Sequence, residues 1–137
     1  MRVIVDTSVW SLALRRRNAV RTHETEALKD LIGDGRVVML GAVRQEILSG
    51  IRHVEQFDRL RAALEAFPDE AVETADYVEA ASICNRCLSA GVRTGNTDSL
   101  IGAVAIARGM EVLSADPDFQ LMSSVVPLRL HTTGELE

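Results

Sequence analysis

Short apolar runs alternate along this chain with stretches whose apolar residues recur every three or four positions. That alternation restricts the fold more than any other feature. Residues 2–5, 37–40 and 111–114 are too short for stable helices and read as buried strands. A brief strand is expected around Val72, and residues 126–130 are expected to form the last one. Between them the spacing predicts a short helix through Trp10 and Leu14, then helices over residues 23–32, 42–48, 54–67, 74–90 and 97–108. Gly50, Pro68, Gly91 and Gly109 supply the stops. In the helix over 74–90, Tyr77, Val78, Ala81, Cys84 and Leu88 are expected on the buried side. Strands alternating with helices give an α/β layer fold with a mainly parallel sheet.

The length of 137 residues suits one domain spanning 1–137, with no internal repeat or linker. Hydrophobic residues at 47% and charged residues at 26% exclude a disordered chain. Aromatics are only 4%, so Ala, Val, Ile and Leu must build the core. The N-terminus lacks the pattern of a secretory signal, and no apolar run approaches the roughly 20 residues that span a bilayer. A cytoplasmic protein is expected. A net charge of −5 does not by itself suit a nucleic-acid binder. It is compatible with one if the acids surround a cation, which reverses the local sign. A basic patch is then expected elsewhere, from Arg15, Arg16, Arg17 and Arg21.

The acids are placed for such a role. Asp6 ends the first strand, Asp98 opens a helix, and Asp116 follows another strand. Ligands of open α/β sheets bind outside the carboxyl ends of the strands, where these positions converge. Glu46, on a helix among Val43, Ile47 and Leu48, is expected to project toward the same edge. A lone Asp after a strand is most often a turn former or a cap, so the case rests on the four together. Two carboxylates about 4 Å apart repel by roughly 4 kcal/mol at an effective dielectric of 20. A divalent cation removes that penalty, and an all-oxygen set selects Mg²⁺ or Mn²⁺ over zinc. An ion so held can activate water against a phosphodiester.

Four segments carry a resemblance. Val3-Ile4-Val5-Asp6-Thr7-Ser8-Val9-Trp10 resembles the opening motif of PIN domains, and Arg44-Gln45-Glu46-Ile47-Leu48 resembles the second, with its single Glu. Thr97-Asp98-Ser99-Leu100-Ile101-Gly102-Ala103 is similar to the third, and Leu113-Ser114-Ala115-Asp116-Pro117-Asp118-Phe119 to the fourth. They occur in order over residues 1–130. Ser114 stands where Thr is commoner, and Asp118 lies close to Asp116, so either could reach the ion, with the motif favouring Asp116.

The resemblance implies a three-layer PIN-like fold, a mainly parallel central sheet flanked by helices. With the acids intact, the chain is similar to VapC-type toxins of toxin–antitoxin pairs. That implies an Mg²⁺-dependent endoribonuclease, with Mn²⁺ able to substitute, a homodimer, an RNA substrate and a VapB-type antitoxin partner. Asp6, Asp98 and Asp116 would hold the ion directly or through water, and Glu46 would complete the catalytic pocket. Ser8 and Ser114 are candidates for positioning the carboxylates or a water.

Other features read more plainly. Cys84 and Cys87 have the spacing of a redox pair but fall inside a helix with no second pair, so core packing is expected. His23, His53 and His131 lack ligand spacing and are expected on the surface; Trp10 is expected in the core. Arg44 and the arginine run are candidate phosphate contacts or solvated side chains. A haloacid-dehalogenase-type phosphatase needs a second Asp where Ser8 stands and a well-placed Lys, and Lys29 is the only lysine. A receiver-like signalling domain needs an acidic pair where only Asp6 is found. A PIN fold serving only as a binding module is the alternative from another class, and such modules usually lack one or more of the acids.

Overall fold

The computed structural model describes residues 1–14 and 21–133. Its centre is β1 (Val3–Val5), with all three side chains fully buried. β1 lies between β2 (Val37–Val38) and β3 (Glu111–Leu113), and both pairings are parallel. Val3 aligns with Val37 on one side and with Glu111 on the other. A strand hydrogen-bonded on both edges and covered on both faces must be apolar throughout, and Val-Ile-Val satisfies that.

The two outer strands expected from sequence shrink to single parallel bridges, Met39 to Asp69 and Val112 to Leu130. Near the first, the Glu70 amide donates to the Met39 carbonyl at 2.8 Å. The Arg108 guanidinium then takes the Ala71 carbonyl at 2.8 Å, so the chain leaves the sheet before Val72. Near the second, Pro127 has no amide hydrogen to give a ladder.

Seven helices surround the sheet among the described residues. They are α1 (Thr7–Leu14), α2 (His23–Gly33), α3 (Gly41–Leu48), α4 (Val54–Leu64), α5 (Thr74–Ser89), α6 (Asn96–Arg108) and α7 (Asp118–Ser123). α6 runs through the core, buried without a break from Ser99 to Ala105. It stops at Gly109, whose φ of +64° is a left-handed conformation that glycine adopts without steric cost. α7 packs on α6 where Gly102 leaves room: a Cβ there would lie 2.8 Å from Met122 Sδ. Trp10 is in the core as expected, edge-on to Phe67 with ring centroids 5.1 Å apart.

The buried side of α5 is not the expected one. Asp76, Ala80, Ile83 and Cys87 face inward, whereas Tyr77, Val78, Ala81 and Leu88 are exposed and Cys84 is half-buried. This helix carries apolar residues on two faces, and α5 packs on α6 with the one that holds Ala80 and Ile83. Core packing therefore describes Cys87 and not Cys84; both thiols are free.

Candidate active site

The parallel sheet sets the site's position, because β1 and β3 end side by side. The Asp6 amide, one residue past β1, donates to the Leu113 carbonyl at 2.9 Å. The Asp6 carbonyl in turn accepts the amides of Val9 and Trp10, which starts α1. The carboxylate is thus pinned at the strand-to-helix turn and is only 4% exposed.

Two hydroxyls converge on it. Ser8 Oγ donates to Asp6 Oδ2 at 2.7 Å and Ser114 Oγ to the same oxygen at 2.8 Å. Among the described residues, all the hydrogen bonds to this carboxylate go to Oδ2. Ser114 Oγ also accepts the Asp116 amide at 2.9 Å, and Ser8 Oγ accepts the Ala115 amide at 3.0 Å. The two serines therefore fix the loop that carries Asp116 against the turn that carries Asp6.

Asp98 comes from the first turn of α6 and Asp118 from the start of α7, whose amide donates to Asp116 Oδ1 at 2.9 Å. Asp98, Asp116 and Asp118 each offer a carboxylate oxygen, and these oxygens lie within 4.8 Å of one another. Of the two acids that the sequence left as alternatives, both reach this group. Asp6 and Glu46 are not members of this group, but their charges act on Asp98. Glu46 is exposed on α3 and accepts the Thr7 hydroxyl at 2.7 Å, which ties α3 to the same turn.

The electrostatic consequence falls on Asp98. Burial first, then the charges of Asp6, Asp116, Glu46 and Asp118, raise its pKa to about 7. A helix N-terminus favours a carboxylate by only about 0.3–1 kcal/mol. A rise of about three units corresponds to roughly 4 kcal/mol, so burial and the neighbouring acids prevail. Three hard oxygen donors in close reach, one of them disfavoured as an anion by burial and by its acidic neighbours, fit a divalent cation that would relieve that repulsion. A cleft enclosing about 460 Å³ opens beside Asp116, lined also by Ser114, Gln120, His131 and Thr132.

Several expected roles resolve differently. Arg44 is committed to structure: it pairs with Asp69 at 3.0 Å and donates to the carbonyls of Leu64 and Phe67. His131 is not a solvated histidine, since its Nδ1 lies 2.9 Å from Glu111 Oε1 and the ring is largely covered. Arg21 pairs with Glu26 at 3.1 Å. Arg15, Arg16 and Arg17 lie outside the described residues.

The family model described as "PIN domain" matches residues 3–124, nearly the whole described chain. The chain belongs to the PIN domain family. Two similar curated proteins are Ribonuclease VapC11 of Mycobacterium tuberculosis and VapC ribonuclease Mb1587 of Mycobacterium bovis. Each is 29% identical over 93% of this chain and 96% of its own length. Among solved structures, FitAcB from Neisseria gonorrhoeae shares the fold with a TM-score of 0.73 at 16% identity, over 95% of this chain and 96% of that one. VapBC2 from Rickettsia felis, bound to a DNA fragment from their promoter, does so with a TM-score of 0.72 at 16% identity, over 96% and 98%. The α/β arrangement with its parallel sheet is that of the PIN fold, and the four acidic motifs of this PIN domain lie at one end of it. No described helix is long and apolar enough to cross a membrane.

Proposed function

We propose that this PIN domain is a metal-dependent endoribonuclease acting in the cytoplasm as the toxin of a VapBC-type toxin–antitoxin pair. The observation that carries the reading is the close approach of Asp98, Asp116 and Asp118 beside the doubly hydrogen-bonded Asp6. The names of the similar proteins, which cover nearly the whole chain, favour RNA over other phosphodiesters, and the likeness to VapBC2 favours a VapB-type protein as partner. A homodimer belongs to the same reading.

In it, Asp6, Asp98 and Asp116 hold the cation, with Asp118 as a further ligand, and the all-oxygen donor set suits Mg²⁺, with Mn²⁺ able to substitute. When bound, the ion supplies an activated water and charge neutralisation at the phosphodiester. Asp98 would hold the ion as a carboxylate, and Asp6 keeps its place through Ser8 and Ser114. Glu46 closes the acidic pocket from α3. The binding-module alternative is less well supported, because none of the four expected acids is missing.

The test is RNA cleavage by purified protein, free of antitoxin, in Mg²⁺, in Mn²⁺ and in EDTA, with Asp98→Asn in parallel. Metal-dependent cleavage that the substitution abolishes supports the reading. Folded wild-type protein that neither cleaves RNA nor binds Mn²⁺ overturns it in favour of a binding module.

A further inference from the structure

The cleft beside Asp116 has walls that the acidic group does not use. One is the segment around Leu130. The Val112 amide donates to the Arg129 carbonyl at 3.0 Å and the His131 amide to the Val112 carbonyl at 2.8 Å, which fixes this segment along β3. Glu111 Oε1 lies 2.9 Å from His131 Nδ1, so the ring is held and Nε2 is the nitrogen left for a ligand. From α7 comes Gln120 and from α2 Glu24, while Val112, Phe119 and Leu130 give the cleft its apolar surface.

Size, lining and charge together decide what such a cleft takes. A volume of about 460 Å³ is that of a small-molecule site. Apolar surface beside a few hydrogen-bonding side chains suits a flat heterocycle, which is covered on its faces and read along its edge. The charged residues are Asp116 and Glu24, with no Lys or Arg among the described residues of the lining. A phosphate is therefore repelled from the cleft, and an uncharged ring is not. Ser114 and Asp116 belong both to the cleft and to the acidic end of the sheet. A nucleotide with its phosphate at the acids has the cleft beside it for its base.

The lining also selects among bases. Neither the Glu24 carboxylate nor the Gln120 amide group has a partner among the described residues. A carboxylate accepts hydrogen bonds and cannot donate, so it favours a base edge with adjacent donors. Guanine presents N1–H and its N2 amino group side by side, and its O6 can accept from the Gln120 amide. Uracil presents a single N–H between carbonyl oxygens, which a carboxylate repels.

We propose that this cleft is a guanine-binding subsite for the RNA nucleotide adjoining the scissile phosphate. Glu24 and Gln120 read the base edge, and His131 and Thr132 complete the polar wall. This rests on the ribonuclease reading above and gives it a sequence preference.

Guanosine carries no phosphate and needs no metal, so its binding is read in EDTA on the full chain. NMR shifts of the Gln120 side-chain amide and the His131 ring are expected with guanosine and not with uridine at the same concentration. At a fixed, subsaturating guanosine concentration, Glu24→Gln is expected to shrink these shifts about tenfold, as loss of a bidentate base contact does. Cleavage supplies the second readout. A random-sequence RNA pool cut in Mn²⁺ and sequenced at its new ends is expected to show guanine enriched at one position adjoining the cut. Glu24→Gln and Gln120→Ala are expected to reduce that enrichment. Equal shifts from uridine, no shifts from guanosine, or a cut profile that neither substitution changes overturns the inference. Selective guanosine binding by a protein that cuts no RNA supports the base site while the nuclease reading fails. Metal-dependent cleavage without guanosine binding leaves the nuclease reading standing and removes the subsite.

Discussion

Ser114 donates its hydroxyl to Asp6 Oδ2 across 2.8 Å while accepting the Asp116 amide, so one side chain ties the Asp6 carboxylate to the backbone that carries Asp116. Removing it leaves Asp6 with Ser8 alone and leaves the Asp116 amide without this partner. Groups that orient metal ligands typically change affinity or activity by about 10–100-fold when lost. Ser114→Ala is expected to weaken Mn²⁺ binding by about that factor in calorimetry. Ser114→Thr keeps the hydroxyl and should bind nearly as the wild type does. Equal affinity in Ser114→Ala would show that Asp6 needs only Ser8.

Asp98 imposes a pH dependence on the metal-free protein. Its folded pKa of about 7 lies above the ordinary value of 3.8. Between those values the folded state keeps a proton that the unfolded chain has released, so stability falls as pH rises from about 4 to 7. The full displacement is worth roughly 4 kcal/mol, and the partial exposure of the carboxylate reduces it. Asp98→Asn removes this term. In EDTA the variant should therefore unfold at higher urea than the wild type at pH 7, and at nearly the same urea at pH 4. With Mn²⁺ present, the wild type should regain its stability and the variant should not. A variant less stable than wild type in EDTA at pH 7 would refute the assigned cause.

Much of this was legible in the sequence, for identifiable reasons. Buried parallel strands need unbroken apolar runs, so residues 3–5, 37–38 and 111–113 stood out, and with them Asp6 and Asp116 at the strand ends. Ser8 and Ser114 could be singled out because they fall inside the first and fourth motifs, beside Asp6 and Asp116. The inward side of α5 could not be read, because the helix is apolar on two faces and only the position of α6 selects between them. Arg44 and His131 misled for a related reason. Their partners Asp69 and Glu111 lie 25 and 20 residues away, beyond any local pattern. Asp116 and Asp118 could not be separated by spacing, and the turn from Asp116 into α7 brings both to Asp98.

Gly102 couples packing to the acidic group, since α7 carries Asp118 and rests through Met122 on the glycine of α6. An alanine Cβ at 2.8 Å from Met122 Sδ obliges only the flexible thioether to shift, while gaining about 1 kcal/mol of helix propensity. Gly102→Ala should be near neutral in stability. Gly102→Val adds bulk that the fully buried Met122 cannot clear, at a cost of about 1–3 kcal/mol. It should also move Asp118 away from Asp98 and weaken Mn²⁺ binding. Calorimetry beside urea denaturation separates the two effects, and unchanged affinity in Gly102→Val would show that Asp118 does not depend on this contact.

Asp76 and Arg108 provide the control for stability without metal. The guanidinium meets the carboxylate with both arms, at 3.1 and 2.9 Å, and also reaches Glu70 at 3.2 Å. Asp76 is 8% exposed, and the Arg108 hydrogen bond, with the Glu73 amide, holds its carboxyl below the usual value while desolvation opposes them. A depressed carboxyl adds stability above the unfolded pKa and loses it as pH falls through the folded one, so this term fades only below about pH 4. Arg108→Ala strands a buried acid and should cost about 3 kcal/mol at pH 7, with the deficit shrinking in strong acid. Because the pair joins α5 to the end of α6 remote from Asp98, Mn²⁺ affinity of the folded variant should not change. A loss of affinity at temperatures where the variant is fully folded would mean that α6 transmits the disturbance to its N-terminal turn.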